Sequence, residues 1–371
     1  MDRHEEVKKN VPMTEIVELA KRFIAIPSVA DNHVALEEII TLARNELPGF
    51  ETEMFRENEK PSLLIHNANP GTRNFKILFN AHLDVVAGKK DQFVPSVNDD
   101  KLYGRGAFDM KAAAAVMIYL FKNLASTLTY PFALQIVTDE EVASGYGTSY
   151  QLSQGVQTEL AIIGECGSRL DIINETKGLI HATITATGVT AHGAYPWKGQ
   201  NAILKMNEAL TAIHKYFPVP SAETFDTTIN VSKISTTNET WNKVPDNCSA
   251  TLDIRFGRKG DNNIIEKVKE ILPQGITLEV DTMRTYNYVD PENTYIKLLT
   301  KIGGSILGRE PAIRGAFGGS DSVFFSEAGL DAIDFGPMGQ GQHDDNEYVE
   351  MKSLEEYYKI LQEFLLEIDI K

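Results

Sequence analysis

The chain has 371 residues, with 52 acidic and 36 basic side chains and a formal net charge of −16 at pH 7. Its length predicts two domains, and its acidic balance disfavours nucleic-acid and anionic-membrane partners because it repels phosphate groups. Cys166 and Cys248 are too few for a disulfide framework, and no apolar run approaches the roughly 18 residues of a membrane span. Since the N-terminal segment also lacks the apolar stretch of a signal peptide, we expect a cytoplasmic protein.

The first half of the chain alternates amphipathic helices with apolar strands. Apolar residues at helical spacing predict a helix over residues 14–26, with Thr14 as its N-cap and Pro27 as its stop. Further helices are predicted at residues 36–47 and 110–125, and strands at residues 75–79, 132–137 and 160–163. This alternation favours an α/β fold, a mostly parallel mixed sheet flanked by helices in the manner of phosphorylase/hydrolase-like catalytic domains.

The pattern changes near Asn174. Period-two alternation predicts strands at residues 181–187, 227–234, 249–256 and 276–280, and helices are predicted at 202–216 and 263–271. This order of elements predicts a ferredoxin-like α+β domain. Helices and buried strands return after Tyr286 and end in a helix at 354–368. We therefore expect a catalytic metal-binding domain of residues 1–174 and 286–371, with a lid or dimerisation domain of residues 175–285 inserted into it.

Polar residues follow two of the predicted parallel strands. His82 and Asp84 come directly after the first, two positions apart, so the carboxylate can accept the proton of the imidazole nitrogen that does not bind metal. Glu165 follows the strand at 160–163, and the neighbouring Cys166 is interpreted as a packing residue. Since ligands bind at the carboxyl ends of parallel strands, these side chains are candidates for a metal site, although an ordinary hydrogen-bonded loop is an alternative.

Carboxylates occupy two further segments. Asp109 ends a glycine-rich turn, residues 104–109, where it is either the N-cap of the next helix or a carboxylate that bridges two cations. Asp139, Glu140 and Glu141 form a run of acids directly after the strand at 132–137. Such a cluster requires either full exposure to solvent or a neutralising cation, with Glu141 as ligand and Glu140 as the proton acceptor.

Two glycine-rich loops carry single histidines. His192 lies between small residues in the inserted domain, where it is either structural or close to another surface. His343 begins a polar run, residues 343–347, that precedes the last helix. The polar side chains of that run require solvent or a cation.

Taken in order, these motifs resemble the superfamily of co-catalytic zinc hydrolases that includes aminoacylase, acetylornithine deacetylase, succinyl-diaminopimelate desuccinylase and glutamate carboxypeptidase. The resemblance extends over the whole chain and rests on His-x-Asp, Gly-Arg-Gly-x-x-Asp-Met-Lys, Asp-Glu-Glu, Gly-Glu, Thr-Ala-His and the late histidine. It implies hydrolysis of the amide bond of an N-acyl amino acid by metal-bound hydroxide. A dipeptidase or carboxypeptidase of the same superfamily is the alternative, and a catalytically silent metal-binding relative is a further one.

The resemblance also implies roles for individual residues. The implied ligands are His82, Asp109 and Glu165 for one metal, and Asp109, Glu141 and His343 for the other. Glu140 would be the general base, Asp84 would orient His82, and His192 would stabilise the oxyanion. Two imidazoles and three carboxylates without a thiolate suit two Zn²⁺ per chain, with Co²⁺ or Mn²⁺ as alternatives.

Substrate contacts are implied less directly. Arg255, Asn230, Gly319 and Ser320 stand in segments that resemble the superfamily's carboxylate-binding parts, although Arg255 also fits a surface charge on an alternating strand. Glu165, where other branches have aspartate, favours the aminoacylase and desuccinylase branches. The expected partners are a small N-acyl amino acid or dipeptide and a second copy of the chain, bound through the inserted domain.

Overall fold

The computed structural model describes residues 11–142, 145–165, 167, 169–258 and 263–370, which divide into two compact units. The first unit runs up to Glu175 and resumes at Asn287–Gly315 and from Ser320 onward. The second comprises Thr176–Tyr286 and Ala316–Gly319. The segment Ala316–Gly319 was expected from the sequence to belong to the first unit. It joins the second unit because the ring of Phe317 lies 5.0 Å from that of Phe225.

A nine-stranded mixed sheet forms the centre of the first unit. Numbered in chain order, its strands lie side by side as β1 (Glu51–Glu57), β2 (Lys60–His66), β6 (Phe132–Val137), β3 (Asn74–His82), β7 (Gln157–Ile163), β15 (Ala332–Asp334), β8 (Ile172–Thr176) and β13 (Asn287–Tyr288), with β14 (Ile313–Ala316) on β8. The run β6-β3-β7-β15 is parallel, whereas β1 and β2 form an antiparallel edge. The mostly parallel mixed sheet predicted from the sequence is confirmed.

Helices pack on both faces of this sheet. They are α1 (Met13–Ile24), α2 (His33–Asn45), α3 (Lys111–Leu124), α4 (Thr148–Ser153), α7 (Thr294–Leu307), α8 (Ser322–Glu327) and α9 (Met351–Ile370). A smaller sheet has the order β16 (Gly339–Gln340), β17 (Tyr348–Glu350), β5 (Lys101–Tyr103) and β4 (Ser96–Asn98). Among the helices in the described part of the chain, none is both long enough and apolar enough to cross a membrane.

Helix α3 lies at the centre of the larger core. It packs against α1, α9 and β3, and the four alanines 112–115 have no exposed surface. Small side chains allow this close approach from several sides. At α1 the expected N-cap, Thr14, is wrong. Pro12 occupies the N-cap position, and Met13 begins the helix because its side chain packs against the core.

The second unit is a four-stranded antiparallel sheet with two helices on one face. Its strands lie in the order β10 (Thr228–Ser235), β11 (Asn247–Phe256), β9 (Gly178–Thr187) and β12 (Ile276–Arg284), and its helices are α5 (Ala202–Tyr216) and α6 (Ile264–Ile271). This order, second-third-first-fourth, confirms the ferredoxin-like prediction. Cys248 is a buried free thiol in this core. Cys166 lies outside the described residues.

Candidate metal centre

His82 is the last residue of β3 and is almost fully buried. Its Nε2 atom lies 3.0 Å from Oδ1 of Asp109 and 3.2 Å from Oε1 of Glu165. Glu165 follows β7, which runs parallel to β3 as its direct neighbour. The two side chains therefore meet because both strands end at the same edge of the sheet.

Asp109 presents its two oxygens to two different groups of side chains. Helix α3 begins at Lys111, with Met110 in the N-cap position and no side-chain cap, so the N-cap interpretation of Asp109 is wrong. Oδ1 faces His82, whereas Oδ2 accepts a hydrogen bond from Nε2 of Gln342 at 2.7 Å and lies 3.3 Å from Nε2 of His343. This arrangement suits a carboxylate shared between two cations.

The second group of side chains consists of Asp109, Glu141 and His343. Nε2 of His343 lies 2.9 Å from Oε2 of Glu141, and the imidazole is half exposed on its loop. In this group, as in the group of His82, Asp109 and Glu165, one candidate ligand atom from each residue lies within 4.8 Å of the others. The five side chains that the sequence predicts as ligands thus form two groups with Asp109 in common.

The carboxylate of Asp84 connects the end of β3 to the acidic segment. Its oxygens accept hydrogen bonds from the backbone amides of Glu140, at 3.3 Å, and Glu141, at 3.0 Å. Nδ1 of His82 lies 3.1 Å from the backbone oxygen of Asp84 and 3.5 Å from its carboxylate. Asp84 therefore lies beside the imidazole, but its backbone oxygen, rather than the carboxylate expected from the sequence, is the nearer acceptor.

Glu140 lies beside the two groups without belonging to either. Oε2 of Glu140 is 4.0 Å from Nε2 of His82, and one fifth of the side chain is exposed. Glu141 is only 6% exposed, and Asp139 is buried. The solvated-loop interpretation of this acidic run is therefore wrong, and Glu140 is a carboxyl group that solvent can reach at the edge of the cluster.

Burial and mutual repulsion govern the pKa values of these groups. Burial raises the pKa of Glu141 to about 7, and burial together with Glu165 holds the pKa of Glu140 well above its ordinary value. Burial lowers the pKa of His82, but hydrogen bonds to Asp109, Asp84 and Glu165 outweigh it and raise that pKa well above its usual range. The cluster thus requires positive charge, from bound protons or from cations.

The second unit carries three predicted site residues. His192 lies exposed on the loop after β9, where Nδ1 accepts a hydrogen bond of 3.0 Å from the amide of Ala194. This bond assigns the imidazole hydrogen of the neutral tautomer to Nε2. Asn230 pairs with Asp253 across β10 and β11, and the guanidinium of Arg255 binds the same aspartate at 2.7 Å. Asn230 and Arg255 therefore share one face of this sheet.

The structure gives Gly319 and Ser320 different settings. Gly319 is exposed in the second unit, whereas Ser320 is buried in the first. The Ser320 hydroxyl donates to Oδ1 of Asp334 at 2.7 Å. Burial raises the pKa of Asp334 to about 8. The Ser320 side chain is therefore already engaged inside the protein.

Three residues at or beside the cluster have no role predicted from the sequence, and two of them, Gln342 and Glu347, contact Asp109. Gln342 donates to Asp109, Glu347 accepts from the amide of Asp109 at 3.0 Å, and Lys111 is fully buried in the same turn. Glu347 is the last residue of the polar run 343–347, and Lys111 is the last residue of the Gly-Arg-Gly-x-x-Asp-Met-Lys motif. Their partners are distant in sequence, so no local pattern indicates these contacts.

Comparisons with known proteins identify a family and similar folds. Residues 78–367 match the model of a family described as Peptidase family M20/M25/M40. A succinyl-diaminopimelate desuccinylase of Thiobacillus denitrificans is 26% identical over 99% of both chains. A tripeptidase of Staphylococcus aureus superposes with a TM-score of 0.81 at 17% identity, covering 97% of this chain and all of that one. A dinuclear metal-binding peptidase of Bacillus subtilis gives 0.70 at 13% identity, covering 96% and 98%.

Proposed function

We propose that this chain, which belongs to peptidase family M20/M25/M40 and is a metal-dependent hydrolase, cleaves the amide bond of an N-acyl amino acid with Glu140 as general base. The observation that carries the proposal is Asp109, whose two oxygens face two separate groups of candidate ligands. Glu140 lies beside both groups and belongs to neither. Two cation sites beside a carboxyl group that belongs to neither form an arrangement that suits amide cleavage by water.

The side chains present fit two divalent cations, for which zinc is the proposed identity and cobalt or manganese the alternatives. His82, Asp109 and Glu165 would hold one, and Asp109, Glu141 and His343 the other. Bound cations would supply Lewis acidity, polarising the amide carbonyl and acidifying water. The raised pKa of Glu141 supports this fit, because positive charge would relieve the repulsion among the buried carboxylates.

In the proposed reaction Glu140 moves one proton. As a carboxylate it accepts the proton from the attacking water, and as an acid it delivers that proton to the leaving amine nitrogen. Partial desolvation and the negative charge of Glu165 raise the pKa of Glu140 and so favour the protonated form, which suits the second step. Nearby cations would favour the carboxylate and so suit the first step. The water oxygen becomes part of the released carboxylic acid.

Residues of the second unit are proposed to act on the substrate. Nε2 of His192 carries the hydrogen of the neutral imidazole and is proposed to donate a hydrogen bond to the developing oxyanion. Arg255 and Asn230, on one face of that unit's sheet, are proposed to recognise the substrate carboxylate, together with the exposed backbone at Gly319. Ser320 is proposed to support that segment through its bond to Asp334.

The relatives named as desuccinylases favour a succinyl group as the acyl part of the substrate.

We further propose a cytoplasmic homodimer joined through the second unit. Large apolar side chains exposed on that unit, including Trp197, Leu204 and Trp241, support the dimer. Light scattering on the purified protein tests it, and a monomer at micromolar concentration would contradict it.

The test of function is hydrolysis of a panel of N-succinyl and N-acetyl amino acids and dipeptides by zinc- and cobalt-loaded protein. We expect turnover of an N-acyl amino acid, and a loss of about 10²–10⁴-fold in kcat for Glu140→Gln with cation content unchanged. Glu159→Gln, an exposed carboxylate bonded to Tyr295, is the matched control. Turnover confined to dipeptides would replace the deacylase assignment by a dipeptidase. A loaded protein that hydrolyses no substrate of the panel would contradict the proposal.

A further inference from the structure

Glu347 is buried with both carboxylate oxygens fully engaged. Oε2 accepts from the guanidinium of Arg105 at 2.6 Å and from the amide of Gly106 at 3.0 Å. Oε1 accepts from the amides of Phe108, at 2.9 Å, and Asp109, at 3.0 Å. One carboxylate thus satisfies four donors that belong to buried residues. Without it, three backbone N–H groups and a buried guanidinium would lose their acceptor.

These bonds join two segments that are far apart in sequence. The donors belong to the turn that ends at Asp109, whereas Glu347 stands four residues after His343. The backbone oxygen of Glu347 also accepts from the amide of Gly104, at 3.1 Å. Glu347 therefore adds five hydrogen bonds to the pairing of β5 with β17 and so ties the turn of Asp109 to the loop of His343. Asp109 and His343 are two of the three residues in one ligand group.

We propose that Glu347 is a positioning residue for the cation held by Asp109, Glu141 and His343. This inference rests on the proposed function, because it takes those side chains to be ligands. By holding the Asp109 and His343 segments together before a cation arrives, Glu347 removes part of the cost of ordering the site. It contacts neither a ligand atom of His343 nor the reacting groups, and acts through the backbone of Asp109.

The two ligand groups depend on Glu347 to different degrees. His82 and Glu165 lie at or just beyond the ends of neighbouring strands, so the sheet holds them in place. His343 lies on a loop, with a half-exposed ring and a positive φ of 61°. Its loop is also held by a bond of 3.1 Å from Gln92 to the backbone of Asp344, and by an ion pair between Lys89 and Asp345. These outer contacts are more exposed than the Glu347 contacts.

The test replaces Glu347 by glutamine, which keeps the size of the side chain but turns one acceptor oxygen into a donor. Stepwise Co²⁺ titration of the metal-free protein, followed by visible absorption, resolves the two binding events without requiring activity. We expect the affinity for the cation held by Asp109, Glu141 and His343 to fall by about 10–100-fold. The affinity for the cation held by His82, Asp109 and Glu165 should change by less than about threefold. Glu347→Asp, which keeps two acceptor oxygens, should recover part of the loss.

Asp171→Asn is the matched control. Asp171 is also a buried carboxylate, with ion pairs to Arg309 and Arg314 and a bond from the amide of Ala312, so the variant tests the loss of a similar polar contact. It should bind two cations with wild-type affinities. Wild-type affinities for both cations in folded Glu347→Gln would overturn the inference alone, whereas a wild-type protein that binds no cation would overturn the proposed function as well.

Hydrogen exchange in the wild-type protein tests the same inference if Glu347→Gln does not fold. A peptide covering residues 104–110 should exchange slowly in the metal-free protein and change little when Co²⁺ is added. Fast exchange that slows only after Co²⁺ binds would show that the cation, rather than Glu347, orders the turn, and would overturn the inference.

Discussion

The carboxylate of Asp84 accepts a hydrogen bond of 3.0 Å from the backbone amide of Glu141. The same carboxylate accepts from the amide of Glu140, so asparagine at this position would set an NH₂ group against a backbone donor. We predict that Asp84→Asn lowers cation affinity by about 10–100-fold. Competition with a chromophoric chelator measures this, and an affinity equal to that of wild type would contradict the role of Asp84.

Cation binding should change how the stability of the protein depends on pH. In the metal-free protein the pKa of Glu141 is raised to about 7, so its contribution to stability is fully present below about pH 4.5 and is lost as the pH rises through 7. Cations would stabilise the ionised carboxylate. We therefore predict that the gap in Tm between loaded and metal-free protein widens from pH 5 to pH 7.5.

Differential scanning calorimetry at saturating Zn²⁺ and in the presence of a chelator measures this gap. Glu141→Gln is the control for the titrating group, because its metal-free form lacks the carboxyl group and should lose less stability over the same pH range. A gap that stays constant or narrows would count against cation binding at Glu141.

Because of Lys111, the free energy of unfolding should increase as the pH rises above 7. Burial lowers the pKa of Lys111 to about 7, and its amine donates to the backbone oxygens of Phe23 and Ile26, each at 2.9 Å. Between pH 7 and about 10.5 the unfolded chain binds the extra proton, so the free energy of unfolding increases with pH in this window. We predict that Lys111→Met is less stable than wild type by about 2–4 kcal/mol at pH 9.

The deficit of Lys111→Met should be smaller at pH 7, because the unfolded lysine is protonated at both pH values and the free-energy cost of keeping the folded amine neutral grows as the pH falls from 9 to 7. Urea unfolding of the two metal-free proteins at both pH values measures the difference. An equal deficit at pH 7 and pH 9 would mean that Lys111 does not titrate near neutrality in the folded protein.

His192 is predicted to affect turnover without affecting cation content. Its Nε2 hydrogen is proposed to stabilise the oxyanion, and loss of one such donor lowers kcat by about 10²–10³-fold. His181→Ala removes another exposed histidine of the same unit and should leave kcat near its wild-type value. Metal analysis accompanies the kinetics of both variants. Equal kcat values for the two variants would exclude His192 from the reaction.

Periodicity and strand ends predict much of the fold and of the candidate ligand set. Strand β3 ends at His82, β6 ends just before the acidic segment, and β7 ends just before Glu165. Because these apolar strands are parallel neighbours, their ends lie close together. Asp109 was ambiguous because an aspartate before a helix fits both a cap and a ligand. The position of Met110 in the N-cap site excludes the cap interpretation, and the ligand role stays a prediction.

Other features depend on signals that the sequence does not carry. The hairpin of β1 and β2 was missed because its turn uses Asn58 and Glu59, both with positive φ, where glycine is the usual indicator. Pro61 inside β2 also opposes a strand prediction. The contacts of Glu347 and Lys111 join segments that are far apart in sequence, so they follow from packing rather than from local pattern.

The insertion has a consequence for the order in which the chain becomes able to fold during synthesis. All four strands of the second unit's sheet are made once Arg284 has left the ribosome tunnel, whereas β15 and α9, which complete the first unit, come later. A nascent chain arrested between these points should therefore resist protease across β9–β12 while β3 and β7 remain open to cleavage. Equal cleavage of both regions would contradict this order.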